Sequence, residues 1–185
     1  MAHPRIIAGQ YKGLRLQPVP GTVTRPITDR VKEALFNVIG VDIVDSNFLD
    51  LFGGTGSVGI EALSRGAAFV TLIEKNKAAS QILAKNLALI KNSQKYKLLR
   101  GDAFSYVEKG FDQTFDYVFI APPQYKEIWA KMLQAVDQKP RMLEKNAWVI
   151  VQIDPIEYKE IPLSNLHEFD QRDYGNTRLV FYIIP

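Results

Sequence analysis

The period of the apolar positions changes several times along the chain, and each change predicts an element. Arg5 to Ala8 and Leu14 to Gln17 are short extended runs around Gly9 and Gly13, which predicts a small hairpin. Pro18, Pro20 and Pro26 keep the following stretch irregular. Val31, Ala34, Leu35 and Val38 then recur at i, i+3, i+4 and i+7, one stripe of a helix that Thr28 or Asp29 can cap and Gly40 can end. From about Asn47 strand and helix patterns alternate. Phe48 to Phe52 is an apolar run stopped by Gly53 and Gly54. Ser57 to Arg65 reads as a helix stopped by Gly66, and Ala68 to Glu74 as a buried strand. Asn76 to Lys91 reads as a helix with Ala79, Leu83, Leu87 and Ile90 inward. Tyr96 to Leu99 is a third strand before Gly101 and Asp102, and Phe115 to Ile120 a fourth, broken by Pro122 and Pro123. A helix from about Lys126 to Val136 and a fifth strand, Ala147 to Ile153, follow. Such alternation predicts a parallel sheet with helices on both faces.

The end of the chain departs from that pattern. Leu166 to Asp170 and Thr177 to Ile184 are extended, with Tyr174, Gly175 and Asn176 between them. The gap is too short for a helical crossover, so this pair is expected to be antiparallel. The 185 residues contain no internal repeat and no long linker. The simplest division is an N-terminal appendage of hairpin and helix, residues 1–40, on an α/β domain, residues 41–185.

Composition narrows the function classes. Hydrophobic residues make up 46% and charged residues 23%, an ordinary globular mix. The absence of cysteine excludes a disulfide scaffold, a thiolate zinc site and a cysteine nucleophile. The two histidines, His3 and His167, are far apart, which argues against a His-rich metal site. No apolar run approaches the ~18 residues of a membrane span. The start, Met-Ala-His-Pro-Arg, lacks a signal-peptide core, so a cytoplasmic protein is expected. The net charge of +3 is unevenly spread. Residues 1–32 hold six basic side chains (Arg5, Lys12, Arg15, Arg25, Arg30, Lys32) against Asp29, a surplus of +5 that leaves −2 for the remainder. A basic segment on a mildly acidic body suggests an anionic partner such as nucleic acid, or simply a solvated face.

Gly54-Thr-Gly56-Ser-Val-Gly59 matches G-x-G-x-x-G between a strand and a helix, and Glu74 follows 20 residues after Gly54 at the next strand end. An acidic residue there can bind both hydroxyls of a ribose. The pattern alone suggests NAD, but the charges argue otherwise. Asp50, Glu74 and Asp102 would line one crevice at the C-terminal strand ends, and Asp50 would repel a pyrophosphate. S-adenosylmethionine has no phosphate and carries a sulfonium and an ammonium, which carboxylates favour. Its carboxylate can meet backbone N–H groups at the helix start, and Asp102 can accept a bond from the adenine amino group. Taken singly, Asp50 could instead cap the helix start and Asp102 could be a turn residue after Gly101.

Asp50-Leu-Phe-Gly-Gly-Thr-Gly56, Glu74, Gly101-Asp102 and the proline pair after the fourth strand resemble a class I methyltransferase, a Rossmann-like fold with a seven-stranded, mostly parallel sheet and an antiparallel C-terminal strand. Arg5-Ile-Ile-Ala-Gly9, Gly13-Leu-Arg-Leu16, Arg25-Pro-Ile-Thr-Asp-Arg-Val31, Glu33-Ala-Leu-Phe-Asn37, Leu49 to Gly66 and Tyr174-Gly-Asn-Thr-Arg178 are similar to the RsmD-type methyltransferases, over nearly the whole chain. That resemblance implies methylation of the exocyclic N2 of a guanine in small-subunit (16S) ribosomal RNA, free or in the 30S particle. It implies that Asp50, Gly54 and Gly56 hold the methionine part, Glu74 the ribose, and Asp102 with Ala103 the adenine. Phe52, Gly53, Thr55 and Lys75 belong to the same cofactor segments. Arg5, Lys12, Arg15, Arg25 and Arg30 would face RNA, although Arg25 and Arg30 could equally cap a helix and form salt bridges. A monomer without metal or membrane association is expected.

The resemblance fails in one motif. The family's catalytic tetrad is an acidic or amide residue, two prolines and an aromatic. Here it reads Ala121-Pro122-Pro123-Gln124, with Tyr125 next. The exocyclic amine of guanine is a poor nucleophile, and a side-chain oxygen with a proline-preceding carbonyl normally accepts its hydrogens and aligns its lone pair. An aromatic ring stacks on the flipped base. Ala121 cannot accept a hydrogen bond. Three readings follow: an active enzyme with another acceptor such as Gln124 and with Tyr125 as the stacking ring; a weak or inactive homologue that binds RNA and cofactor; or an enzyme acting on a different substrate. Tyr125 could also be a helix-start residue packing on Trp129. Ser57 has no neighbouring base for nucleophilic catalysis, His167 reads as structural, and Lys75 and Lys77 read as solvated.

Overall fold

A computed structural model describes residues 3–21 and 26–185. The elements are α1 (Asp29–Ile39), β1 (Asn47–Asp50), α2 (Ser57–Ser64), β2 (Phe69–Glu74), α3 (Lys77–Leu87), β3 (Tyr96–Arg100), α4 (Ala103–Lys109), β4 (Phe115–Ile120), α5 (Ile128–Asp137), β5 (Leu143–Ile153), β6 (His167–Tyr174) and β7 (Thr177–Ile183). The seven strands form one sheet in the order β3-β2-β1-β4-β5-β7-β6. β1 to β5 run parallel, and β7 is antiparallel to both neighbours. The expected class, an α/β sheet with an antiparallel strand at its C-terminal end, is what the chain forms.

Alternation along each strand sorts the core into two layers. Phe48, Val70, Tyr117, Phe119, Ile150 and Phe181 share one cluster with residues of α1, α2 and α3. Leu49, Ile73, Val118, Val149, Val151 and Val180 share the other with residues of α4 and α5. The helix stripes follow the same logic. Leu83 and Leu87 are buried in α3, and Ile90 stays buried in the turn beyond it. Thr28 caps α1, accepting from the Val31 amide at 3.3 Å.

Several elements differ from expectation. α4 was not expected. It has seven residues and buries only Ala103 and Val107, too short for a periodic signal, although Asp102 caps its start and Gly110 its end. α3 ends four residues early, and β5 begins four residues early, with a register irregularity between Phe115 and Tyr117 of β4. β6 extends to Tyr174, so a two-residue Gly175-Asn176 turn joins it to β7. In α1 the buried stripe is Val31, Leu35, Phe36 and Ile39 rather than one through Ala34 and Val38.

The N-terminal hairpin shrinks to a single antiparallel bridge between Arg5 and Arg15. What fixes this segment is its contact with α2. Ile6 and Leu16 join the core cluster of α1 to α3. Gly9 has a φ of +82°, and a Cβ there would sit 1.8 Å from the Ser64 carbonyl oxygen, so no side chain fits. The segment read as an appendage therefore packs into the same core as the sheet.

Candidate active site

β1 to β4 all end at one edge of the sheet. The chain leaves β1 toward β2 and β3 on one side and returns to β4 on the other, so the β1–β4 boundary is a topological switch point where a crevice opens beyond the strand ends. Asp50 is in register with Phe119 there, so the glycine loop after β1 and the Ala121 to Tyr125 segment after β4 leave neighbouring strands side by side.

Asp50 is the most buried acid of this edge, 2% exposed, and its Oδ1 accepts the Phe52 amide at 3.2 Å. Burial pushes its carboxyl up to about 7 against the hydrogen bond from Phe52, and the negative charge of Glu74 acts in the same direction as burial. Glu74 braces the loops on either side: its Oε2 accepts the Gly54 amide at 2.9 Å and its Oε1 the Asn76 amide at 2.7 Å. Gly53 donates to the Ile73 carbonyl at 2.8 Å, which ties the loop to β2. Gly56 begins α2 at a φ of +83°, and a Cβ on it would meet Leu83 at 2.5 Å, so the loop requires glycine there. The Thr55 carbonyl accepts from Asn86 Nδ2 at 2.8 Å.

Asp102 caps α4 through the Phe104 amide at 2.8 Å and pairs with Lys75 Nζ at 2.7 Å. The Lys75 ammonium holds its carboxyl below the usual carboxylate range. Lys75, read in part as solvated, is thus exposed but ion-paired across the tips of β2 and β3. Ala103 is buried at the first position of α4. This edge suits a cationic ligand with hydroxyls better than a pyrophosphate: its deepest polar group is a carboxylate, and a second carboxylate raises its proton affinity. Glu74 keeps lone pairs beyond the two amide bonds it accepts, enough for ribose hydroxyls.

The segment after β4 is held by the loop after β5. Ala121 and Gln124 are half-buried, Pro122 buried and Tyr125 exposed. Tyr125 has a φ of +61° and Glu127 of +54°, both left-handed. The Tyr125 hydroxyl donates to Asp154 Oδ2 at 2.8 Å, its amide to Glu157 Oε1 at 2.7 Å, and Lys159 pairs with Glu127 at 2.6 Å. Tyr125 lies three residues before α5 and is 65% exposed, so it is not a buried helix-start residue. Asp154, Glu157 and Lys159 were missed from sequence. The only signal was the Asp154-Pro155 pair, which reads as a turn.

Of the basic residues, Arg5, Lys12, Arg15 and Arg30 are exposed, and Arg25 lies outside the described residues. Arg5 pairs with Asp29 at 2.7 Å. Lys32 belongs to no surface patch: it is 1% exposed, donates to the Arg5 carbonyl at 2.6 Å and to Ser57 Oγ at 2.7 Å, and lies 3.6 Å from Glu61. Ser57 is thus a buried acceptor. His167 is exposed on β6. Among the described residues no group of three His, Cys, Asp or Glu is placed to hold a metal ion, and no helix is long and apolar enough to cross a membrane.

Known proteins match this chain over nearly its whole length. The family model described as Conserved hypothetical protein 95 matches residues 4–183. The Ribosomal RNA small subunit methyltransferase D of Escherichia coli is 42% identical over 147 residues, 78% of this chain and 69% of the relative. The protein of the same name from Haemophilus influenzae is 35% identical over 180 residues, 96% of this chain and 91% of the relative. A solved structure from Escherichia coli, described provisionally as a methyltransferase, superposes with a TM-score of 0.80 at 33% identity, covering 99% of this chain and 98% of that one.

Proposed function

We propose, from the premise that the chain belongs to the Conserved hypothetical protein 95 family, that it is an S-adenosylmethionine-dependent methyltransferase acting on the exocyclic N2 of a guanine in small-subunit ribosomal RNA. The observation that carries the reading is the pairing of whole-chain similarity to small-subunit rRNA methyltransferases with an acidic edge at the β1–β4 switch point. When bound, S-adenosylmethionine supplies an electrophilic methyl group on a sulfonium. Asp50 with the Gly54 to Gly56 loop would hold its methionine part, Glu74 the ribose, and Asp102 with Ala103 the adenine. Phe52, Gly53, Thr55 and Lys75 shape the same cleft. Pro122 and Pro123 rigidify the segment beside it, and Tyr125, ring outward, would stack on the target base. The same reading takes the protein as a cytoplasmic monomer that meets rRNA, free or in the 30S particle, through Arg5, Lys12, Arg15, Arg25 and Arg30.

The decisive experiment is labelled methyl transfer to unmethylated 30S particles and to naked 16S rRNA, with mapping of the product. One N2-methylguanine per particle is expected. Label on another base, or cofactor binding with no transfer to either RNA, overturns the reading. A second expectation concerns the basic segment. Replacing Arg15 and Arg30 by glutamine should lower the slope of log K against log salt for rRNA binding by about 0.7–0.9 for each phosphate that is no longer neutralised. Filter binding over a salt series reads this, and an unchanged slope means these residues do not face RNA.

A further inference from the structure

Ala121 leaves the first position of the motif without a side-chain acceptor, yet the acceptor chemistry is also present one strand away. β4 and β5 pair in parallel, with Phe119 opposite Ile150 and Ile120 opposite Val151. Continuing that register one residue past the end of β4 sets Ala121 next to Gln152. The faces agree. Tyr117, Phe119 and Ala121 belong to the layer under α1 to α3, as does Ile150, whereas Val149, Val151 and Ile153 point to the opposite layer. Gln152 therefore shares the face of Ala121. On its other side it is in register with Leu179 of β7, also of that layer. Asp50 follows Phe48 by two residues on β1 and points to the same layer.

Gln152 is only 8% exposed, and its Oε1 is a buried acceptor without a hydrogen-bond partner. A buried unpaired amide oxygen is destabilising, and the buried neighbours that share its face, Ile150 on the same strand and Leu179 on β7, are both apolar. Adjacent strands are about 4.8 Å apart, within the reach of a glutamine side chain toward the space an acidic or amide residue at 121 would fill. We propose that Gln152 supplies the side-chain oxygen that accepts a hydrogen from the substrate amine, in place of the missing group at 121. The inference rests on the methyltransferase reading above and deepens it. In the transfer, the amine nitrogen's lone pair forms the new N–C bond, the pair of the breaking C–S bond stays on sulfur, and the surplus proton on nitrogen leaves to water. The amide oxygen keeps only its hydrogen bond, which fixes the direction of the lone pair.

The test uses the full chain, labelled S-adenosylmethionine and unmethylated 30S particles. Gln152→Leu is expected to lower kcat by ~100-fold, the scale of losing alignment at the reacting atom. Its cofactor affinity by calorimetry should stay unchanged, and its melting temperature should equal or exceed that of the parent, because an unpaired polar group is removed. Gln152→Met serves the same purpose if the leucine variant fails to fold. Ala121→Asp in the Gln152→Leu background should restore most of the lost kcat. Full activity in Gln152→Leu overturns the inference alone, as does a loss that tracks melting temperature or cofactor affinity and that Ala121→Asp does not rescue. So does a loss in Gln124→Leu with none in Gln152→Leu. A parent protein that binds cofactor but methylates no RNA overturns the functional reading, and this inference with it.

Discussion

Glu61→Ala is expected to cost the fold about 3–5 kcal/mol, the scale of breaking a buried ion pair from one side, and to free the N-terminal segment from α2. Glu61 is 0% exposed. Its Oε2 accepts the Ile7 amide at 2.9 Å and its Oε1 the Ala8 amide at 3.1 Å and Arg65 Nε at 2.8 Å. Lys32 Nζ lies 3.6 Å away. Burial already lowers the Lys32 pKa, and Glu61 is the largest influence opposing it. Removing the carboxylate leaves a buried ammonium unpaired and orphans two amides of the segment carrying Arg5, Lys12 and Arg15. Urea denaturation should give the loss in stability, and trypsin should cleave after Lys12 or Arg15 before global unfolding. Lys32→Met combined with Glu61→Gln should recover part of the loss, because the fully buried ammonium is gone and the glutamine oxygen can still accept one of the hydrogen bonds. A variant that melts like the parent and resists trypsin would show that the bonds at Ser64 suffice: the Gln10 amide to its carbonyl at 2.8 Å and the Tyr11 amide to its hydroxyl at 2.9 Å.

This docking explains what the sequence conceals. Residues 1–32 read as a basic segment because charge was counted along the chain, yet Lys32 lies inside the core and Asp29 pairs with Arg5. Nothing local distinguishes Glu61, in an apolar helix, from a surface glutamate. The two amides it holds in the N-terminal segment lie 54 and 53 residues away in the chain. Asn86 is similar: it clamps Gln17 by two bonds, 2.8 and 3.0 Å, from the far end of α3. Strands and long helices were legible because burial on one or both faces leaves a period in the residues. α4 was not, because seven residues cannot show one.

At the candidate site the pattern divides in the same way. Glycines, prolines and acids at strand ends were visible since each answers a local demand, a tight turn or a charge at a helix start. Glu74 sits 2.9 Å from the Gly54 amide, 20 residues away in the chain; the spacing marked Glu74 as a ribose ligand but did not indicate that bond. Gln152 was invisible because its meaning comes from the strand beside it. Within β5 it is one polar residue in an apolar run, and only the register with β4, continued by one residue, sets it next to Ala121. The brace of Tyr125 by Asp154 and Glu157 likewise spans two loops that meet only because β4 and β5 are neighbours.

Affinity for S-adenosylmethionine is expected to rise about tenfold from pH 6 to pH 8, because a carboxyl with a pKa near 7 goes from about one-tenth to nine-tenths ionised across that range. The group is Asp50, raised from 3.8 to about 7 chiefly by burial. Only its ionised form attracts the ammonium and sulfonium, and binding a cation should release a proton, which calorimetry in buffers of different ionisation heat detects. The same shift fixes the sign for stability without ligand. The folded chain keeps a proton that the unfolded chain gives up between about pH 4 and pH 7, so the contribution of Asp50 is fully present below the unfolded value and lost as pH rises through 7. Asp50→Asn should therefore raise the melting temperature of the unliganded protein at pH 8 while leaving it little changed at pH 4. It should also weaken cofactor binding by at least ~30-fold, the low end for truncating one partner of a buried charge pair, and flatten the pH dependence of what remains. Affinity in the parent that is constant from pH 6 to pH 8, or an Asn variant with the parent's slope, would mean that Asp50 does not carry the charge the cofactor meets.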